Sequence, residues 1–163
     1  MIIDNFHVLS GAVSAAGALT GQLITANSQL STNTIDLAPL SIGGNQPSDI
    51  GAGESLDLSI SVLVAPLTAT TVQFQLIQAD DAALTSNVQV INQTDAFPIA
   101  SLPAGTLVPL HWDRAAPYAS KRYVGLRVIG TGSTVTALSI FATTVKSLQD
   151  VKNLYYKSGY LVS

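Results

Sequence analysis

The sequence predicts an all-β protein, an antiparallel two-sheet sandwich, and three observations predict it. Apolar and polar residues alternate along short runs, shown most plainly by Glu54-Ser55-Leu56-Asp57-Leu58-Ser59-Ile60-Ser61-Val62-Leu63-Val64. A period of two turns every second side chain to the same face of a strand and predicts half-buried strands. Polarity comes from Ser, Thr, Gln and Asn, because only 10% of the residues are charged. Gly and Pro turn signals recur at the spacing of a sandwich, and no long amphipathic helix is present to cover a parallel sheet.

Taken in order, residues 2–9 read as a first strand. An Ala/Gly/Ser-rich loop follows over about 10–21; its composition would allow a short helix, but Gly11, Gly17 and Gly21 weigh against one. The β-branched run 31–37 predicts a strand stopped by Pro39, and Gly43, Gly44, Asn45 and Pro47 make 42–53 a long turn. In the strand predicted over 54–64, Leu56, Leu58, Ile60, Val62 and Val64 share one face and Ser55, Asp57, Ser59 and Ser61 the other. Burying such a row, at ~1.5–3 kcal/mol per side chain, gives roughly 10 kcal/mol gross, most of which the entropy of ordering offsets.

Residues 71–78 repeat the pattern, with Val72, Phe74 and Leu76 alternating against glutamines. Asp80-Asp81-Ala82-Ala83 predicts a turn or a single helical turn before a strand over 88–91. Strands over 99–102 and 107–112 flank a Pro103-Ala104-Gly105 turn. A strand over 123–129 is stopped by Gly130-Thr131-Gly132. The next, 134–145, is apolar on both faces at Val135, Leu138, Ile140 and Phe141, which makes it central or part of a subunit contact. Roughly seven to nine short strands at this spacing favour a jelly-roll type of sandwich. Residues 1–145 therefore form one domain. The remainder, 146–163, is a tail: Leu148, Val151, Leu154 and Tyr155 have helical spacing, then Tyr156-Lys157-Ser158-Gly159-Tyr160 turns and exits, so a short C-terminal helix or an extended, interface-forming tail is expected.

Composition narrows the function. A net charge of -3 argues against nucleic acid as the main partner, because phosphate binding needs a basic surface. Free soluble domains carry about a quarter charged residues, so much of this surface is expected to be covered by copies of the chain or by another protein. The chain has no cysteine, which excludes disulfides and thiolate zinc sites. An acid, Asp4, stands where a secretory signal would have basic residues, so synthesis in the cytoplasm without a signal peptide is expected. The longest apolar-rich run, 56–67, is too short and too polar to span a bilayer.

Chemistry has little to work with. Cupin-type metal sites need clustered histidines with a glutamate; here His111 is followed by Trp112 and Asp113, His7 lies far away and Glu54 is the single glutamate. His111-Trp112 reads better as a strand end with an aromatic on a core edge or interface. Asp80-Asp81 lacks the alternating acids of a calcium loop. Gly51-Ala52-Gly53 and Gly130-Thr131-Gly132 open no helix after a strand and read as turns. No Gly-x-Ser-x-Gly elbow is present, and Asn92-Gln93-Thr94 is an accidental glycosylation match. Neither enzyme activity nor a cofactor or metal is expected.

Two clusters are candidate contacts. Arg114, Lys121, Arg122 and Arg127 bring together four of the seven basic residues, as a patch that docks on an acidic protein or as plain solubility and edge protection. Tyr155, Tyr156 and Tyr160 give the tail an aromatic density that suits an intersubunit or partner contact, although a tail folded back on its own sandwich would use them too. A glycan-binding groove would have only Trp112, Asp113 and Tyr118 grouped in sequence.

Several blocks, in order, carry a family resemblance: Met1-Ile2-Ile3-Asp4-Asn5, Ser31-Thr32-Asn33-Thr34-Ile35-Asp36-Leu37, Asp49-Ile50-Gly51-Ala52-Gly53-Glu54 and Val72-Gln73-Phe74-Gln75-Leu76 with Asp80-Asp81. Ile99-Ala100-Ser101-Leu102-Pro103-Ala104-Gly105, Lys121-Arg122-Tyr123 and Tyr156-Lys157-Ser158-Gly159-Tyr160 complete the set, which spans nearly the whole chain. The set resembles the capsid cement (decoration) proteins of tailed bacteriophages, of the short-tailed Bordetella-phage type. That resemblance implies a jelly roll bound as an oligomer (homodimer or homotrimer) on the outside of the expanded virion shell, clamping neighbouring major capsid proteins. It implies no catalytic residue. The competing expectation is a glycan- or receptor-binding sandwich of a phage tail or fibre.

Overall fold

The computed structural model describes residues 7–37, 56–112 and 121–145. The N-terminal part carries six short strands: β1 Val8–Ser10, β2 Ala12–Val13, β3 Leu19–Thr20, β4 Gln22–Ile24, β5 Ser28–Leu30 and β6 Ile35–Asp36. The long strands β7 Leu56–Val64 and β8 Leu67–Ala79 follow, then β9 Gln89–Gln93 and β10 Phe97–Pro98. The chain closes through β11 Leu107–Trp112, β12 Tyr123–Thr136 and β13 Leu138–Val145.

Two sheets form. The first has the order β1-β13-β7-β11 with β4 also on β13; the second has the order β10-β8-β12-β5 with β6 on β12 and β9 on β8. Every pairing in them is antiparallel. The pairs are nested: β4 with β13, β5 and β6 with β12, β7 with β11, and β8 with β9. A long hairpin wrapped into two facing sheets gives this nesting, and it is the jelly-roll path the strand spacing predicts.

Alternation builds the core as expected. Leu58, Ile60 and Val62 of β7 face Val72, Phe74 and Leu76 of β8, and all six are fully buried in one cluster with residues of β11, β12 and β13. Val64 ends the row exposed, at the corner where 65–66 crosses to the other sheet. Ser59 turns away from the core but is buried too, as is Thr143 beside it. Thr143 donates Oγ1–H to the carbonyl of His7 (3.1 Å).

Other expectations shift for identifiable reasons. The loop at 10–21 is neither open nor helical but holds the small β2–β3 hairpin, closed by Ser14 N–H to Ala18 O (2.9 Å) and Gly17 N–H to Ser14 O (2.8 Å). The strand predicted over 31–37 is displaced into β5 and β6. Ser31 Oγ donates to Asn33 O (2.8 Å) and accepts from Leu126 N–H (3.0 Å), replacing the ladder between them. Residues 99–102 make a 3-10 turn, Ile99–Ser101, instead of a strand; Leu102 N–H bonds back to Ile99 O. The turn at Pro103-Ala104-Gly105 is present, with Thr106 N–H on Pro103 O (3.1 Å).

Gly130-Thr131-Gly132 does not stop the strand. β12 runs through it as a bulge: the register to β8 shifts at Thr131/Gly132, and Gly132 supplies the positive φ of +80° that the bulge needs. The predicted strand over 134–145 therefore divides at Ala137, where the chain changes sheet. Its main part, β13, lies between β7 and the pair β1 and β4, the central place that two apolar faces predict. Residues 2–6, Pro39, the turn at 42–53 and the tail 146–163 lie outside the described residues.

Candidate interaction surfaces

The tight links 65–66 and Ala137 hold one end of the sandwich, and the opposite strand ends make the other. There β13, β7 and β11 align Val145, Asp57 and His111 in one row, while β6, β12 and β8 align Asp36, Tyr123 and Ala79. Two ion pairs and one histidine–carboxylate contact among the described residues sit at this end. His111 Nδ1 is 2.9 Å from Asp57 Oδ1, and Lys121 Nζ donates to Asp80 Oδ1 at 2.9 Å. Arg122 grips Asp36 with both Nε and Nη2 at 2.9 Å while its guanidinium rests over the Tyr123 ring, 5.0 Å from the centroid.

Charge state follows from these contacts. The hydrogen bond from Lys121, and then that from Asn87, holds the Asp80 carboxyl below its ordinary value. Asp81 is held low by the Ser86 backbone N–H and then the Thr85 hydroxyl, and Arg122 is raised by its bond to Asp36. Such exposed pairs contribute little stability; the hydrogen bonds of Asp81 to Thr85 and Ser86 and of Asp80 to Asn87 fix the β8–β9 turn. That turn folds Leu84 onto the outer face of the second sheet, beside Ile77 and Ala79. Gly125 makes the close approach possible, since a Cβ there would lie 2.3 Å from Leu84 Cδ1.

The middle of that outer face is polar but nearly free of charge. Leu30, Arg127, Gln75 and Gln93 form one row across β5, β12, β8 and β9. Arg127 Nε donates to Gln75 Oε1 (2.8 Å), and Gln75 Nε2 donates to Gln93 Oε1 (2.8 Å) and Gln73 Oε1 (3.3 Å). Gln73 Nε2 in turn reaches Thr94 O at 2.8 Å. The far end of the sandwich is different again, with Leu23, Val64 and Leu67 about half exposed. A cleft of about 530 Å³ lies beside the β2–β3 hairpin, lined by small residues together with Gln22, Thr32 and Asn33. The Gln22 amide is already bonded to Leu30 O and Thr32 N–H, so it serves the fold.

Of the residues singled out from sequence, Arg114, Tyr155, Tyr156 and Tyr160 lie outside the described residues, as do Asp113, Tyr118 and Glu54. Lys121 and Arg122 come together at the start of β12, each already on a carboxylate. Arg127 stands apart on the sheet face. Trp112 is 3% exposed and packs in the core, so its ring is not offered to a glycan; this is the core-edge aromatic the sequence predicts. Asn92 spends its side chain on His111 O (2.8 Å). Among the described residues no three His, Asp or Glu side chains gather as a metal site, and no helix is long and apolar enough to cross a membrane. The amide network was missed from sequence, because glutamines alternating with core residues show their face but not their cross-strand partners.

Fold and surface together define a jelly-roll protein whose polar groups, among the described residues, are mostly amides, hydroxyls and a few ion pairs. The family model Bbp16 matches residues 18–144, which is well over half of the chain and includes both sheets except β1 and the last residue of β13. The chain belongs to the Bbp16 family, a membership consistent with a Bordetella-phage protein. No curated protein matches it.

Proposed function

We propose that this chain is a capsid cement (decoration) protein: as an oligomer it binds the outside of the expanded phage head and clamps neighbouring major capsid proteins. The observation that carries the reading is the family match over residues 18–144, consistent with a phage protein. The jelly roll supports it physically. A clamp needs a rigid body with a broad adhesive face, and the second sheet supplies an outer face poor in charge in front of the close-packed core between the sheets. The role calls for no catalytic group, metal or cofactor, and its place is the virion's outer surface.

Binding the expanded lattice more tightly than the unexpanded one stabilises the expanded form by mass action. An oligomer that touches several capsid subunits strengthens each modest contact through effective concentration. The test is to incubate the purified chain with heads assembled without it, in both lattice states, and to measure bound protein after sedimentation. Saturable binding to expanded heads, at least about tenfold tighter than to unexpanded ones (about 1.4 kcal/mol), is the expected result; no binding to either would refute the reading.

A further inference from the structure

We infer that Arg127 is the charged anchor of the docking face: its guanidinium receives a carboxylate of the capsid protein that the outer face of the second sheet covers. The inference rests on the cement reading and adds the face and the contact chemistry.

Lys121 and Arg122 are occupied by Asp80 and Asp36. Arg127 faces no carboxylate among the described residues. Its Nε is bonded to Gln75 Oε1, while the N–H groups on Nη1 and Nη2 find no acceptor there. A guanidinium in that state offers the parallel pair of donors that a carboxylate fills in bidentate fashion. It is also oriented in advance. Gln75 is only 7% exposed and is itself held by Gln93 and Gln73, so the anchor is braced across three strands. Little side-chain freedom remains to be lost on binding.

The surroundings have the composition of an interface centre. Leu30, Ile129 and Val90 supply apolar area, Thr71 and Thr131 bond to each other, and the strand positions on this part of the face hold no Lys, Asp or Glu. Interface cores are depleted of those residues and enriched in Arg. A monomer's solvated sheet face would carry them. A second copy is a poor occupant. Arg127 lies near the middle of the face, so a two-fold contact there would bring each Arg127 towards its own counterpart. A different protein with an exposed acidic side chain fits.

The experiment uses the full chain and expanded heads that lack it, with three variants checked by thermal unfolding. Arg127→Met removes the fork and keeps the stem. Arg127→Lys keeps the charge without the fork. Gln75→Glu leaves Arg127 in place but gives it an internal carboxylate. All three are expected to weaken head binding by at least about 30-fold, with less salt dependence for Arg127→Met, while unfolding stays cooperative. Parent-like binding by Arg127→Met or by Gln75→Glu would overturn the anchor, and full binding by Arg127→Lys would overturn bidentate recognition. A change in the free chain's sedimentation with head binding intact would assign the face to a second copy instead. If the parent itself does not bind heads, the cement reading fails and this inference falls with it; if the parent binds and the variants match it, only the inference falls.

Discussion

Replacing Ile60 with aspartate is expected to abolish cooperative folding. Ile60 is fully buried at the middle of β7, opposite Val108 of β11 and Ala142 of β13, in the cluster that joins the two sheets. The change loses the transfer free energy of the isoleucine side chain, ~1.5–3 kcal/mol, and leaves an unpaired charge in the core, about 3–5 kcal/mol more. Domains of this size are stable by about 5–15 kcal/mol, and the sum, about 4.5–8 kcal/mol, is comparable with the lower half of that range. Thermal unfolding followed by circular dichroism is the check. An unaltered midpoint in Ile60→Asp would mean that β7 does not run through the core.

Deleting 146–163 is expected to abolish oligomerisation or head binding while the sandwich still folds. The core cluster of the described residues runs from Leu9 to Ala142, so the burial that joins the sheets is available without the tail. The segment removed carries Tyr155, Tyr156 and Tyr160, the densest run of aromatic residues in the chain. Tyrosine combines a large contact area with a hydrogen-bonding tip and is enriched at interface hot spots. Sedimentation velocity and head binding on the truncated protein separate the two roles. Full oligomerisation and full binding with the tail absent would show that the adhesive surface lies elsewhere.

How much was legible in the sequence depended on range. Period-two alternation placed β7, the inner face of β8, and β11, because a strand with one buried face must write that face into every second residue. It even marked β13 as central, since a strand covered on both sides has no polar side to show. Glycine was misread at 130–132, where it re-aims β12 through a bulge; the same residue type serves turns and bulges, and only the partner strand tells them apart. Residues 99–102 look like a strand but are held as a 3-10 turn by one local bond.

The candidate site was legible only in its residue types. The cluster Arg114, Lys121, Arg122 and Arg127 reads as one patch along the chain. In space, β12 turns Arg127 onto the sheet face, while Lys121 and Arg122 at its start meet Asp80 and Asp36. Those acids are 41 and 86 positions away, so no local pattern could have paired them. The glutamine network behind Arg127 depends on the register of β8 with both β9 and β12, which the long loops between strands leave unstated.

The most direct test of the cement reading is the copy number of this chain in purified virions of its parent phage, by quantitative mass spectrometry against the major capsid protein. A ratio near parity is the predicted result, because a clamp that holds a whole shell must be present across it. A handful of copies per particle would contradict the account and move the protein to the tail or fibre.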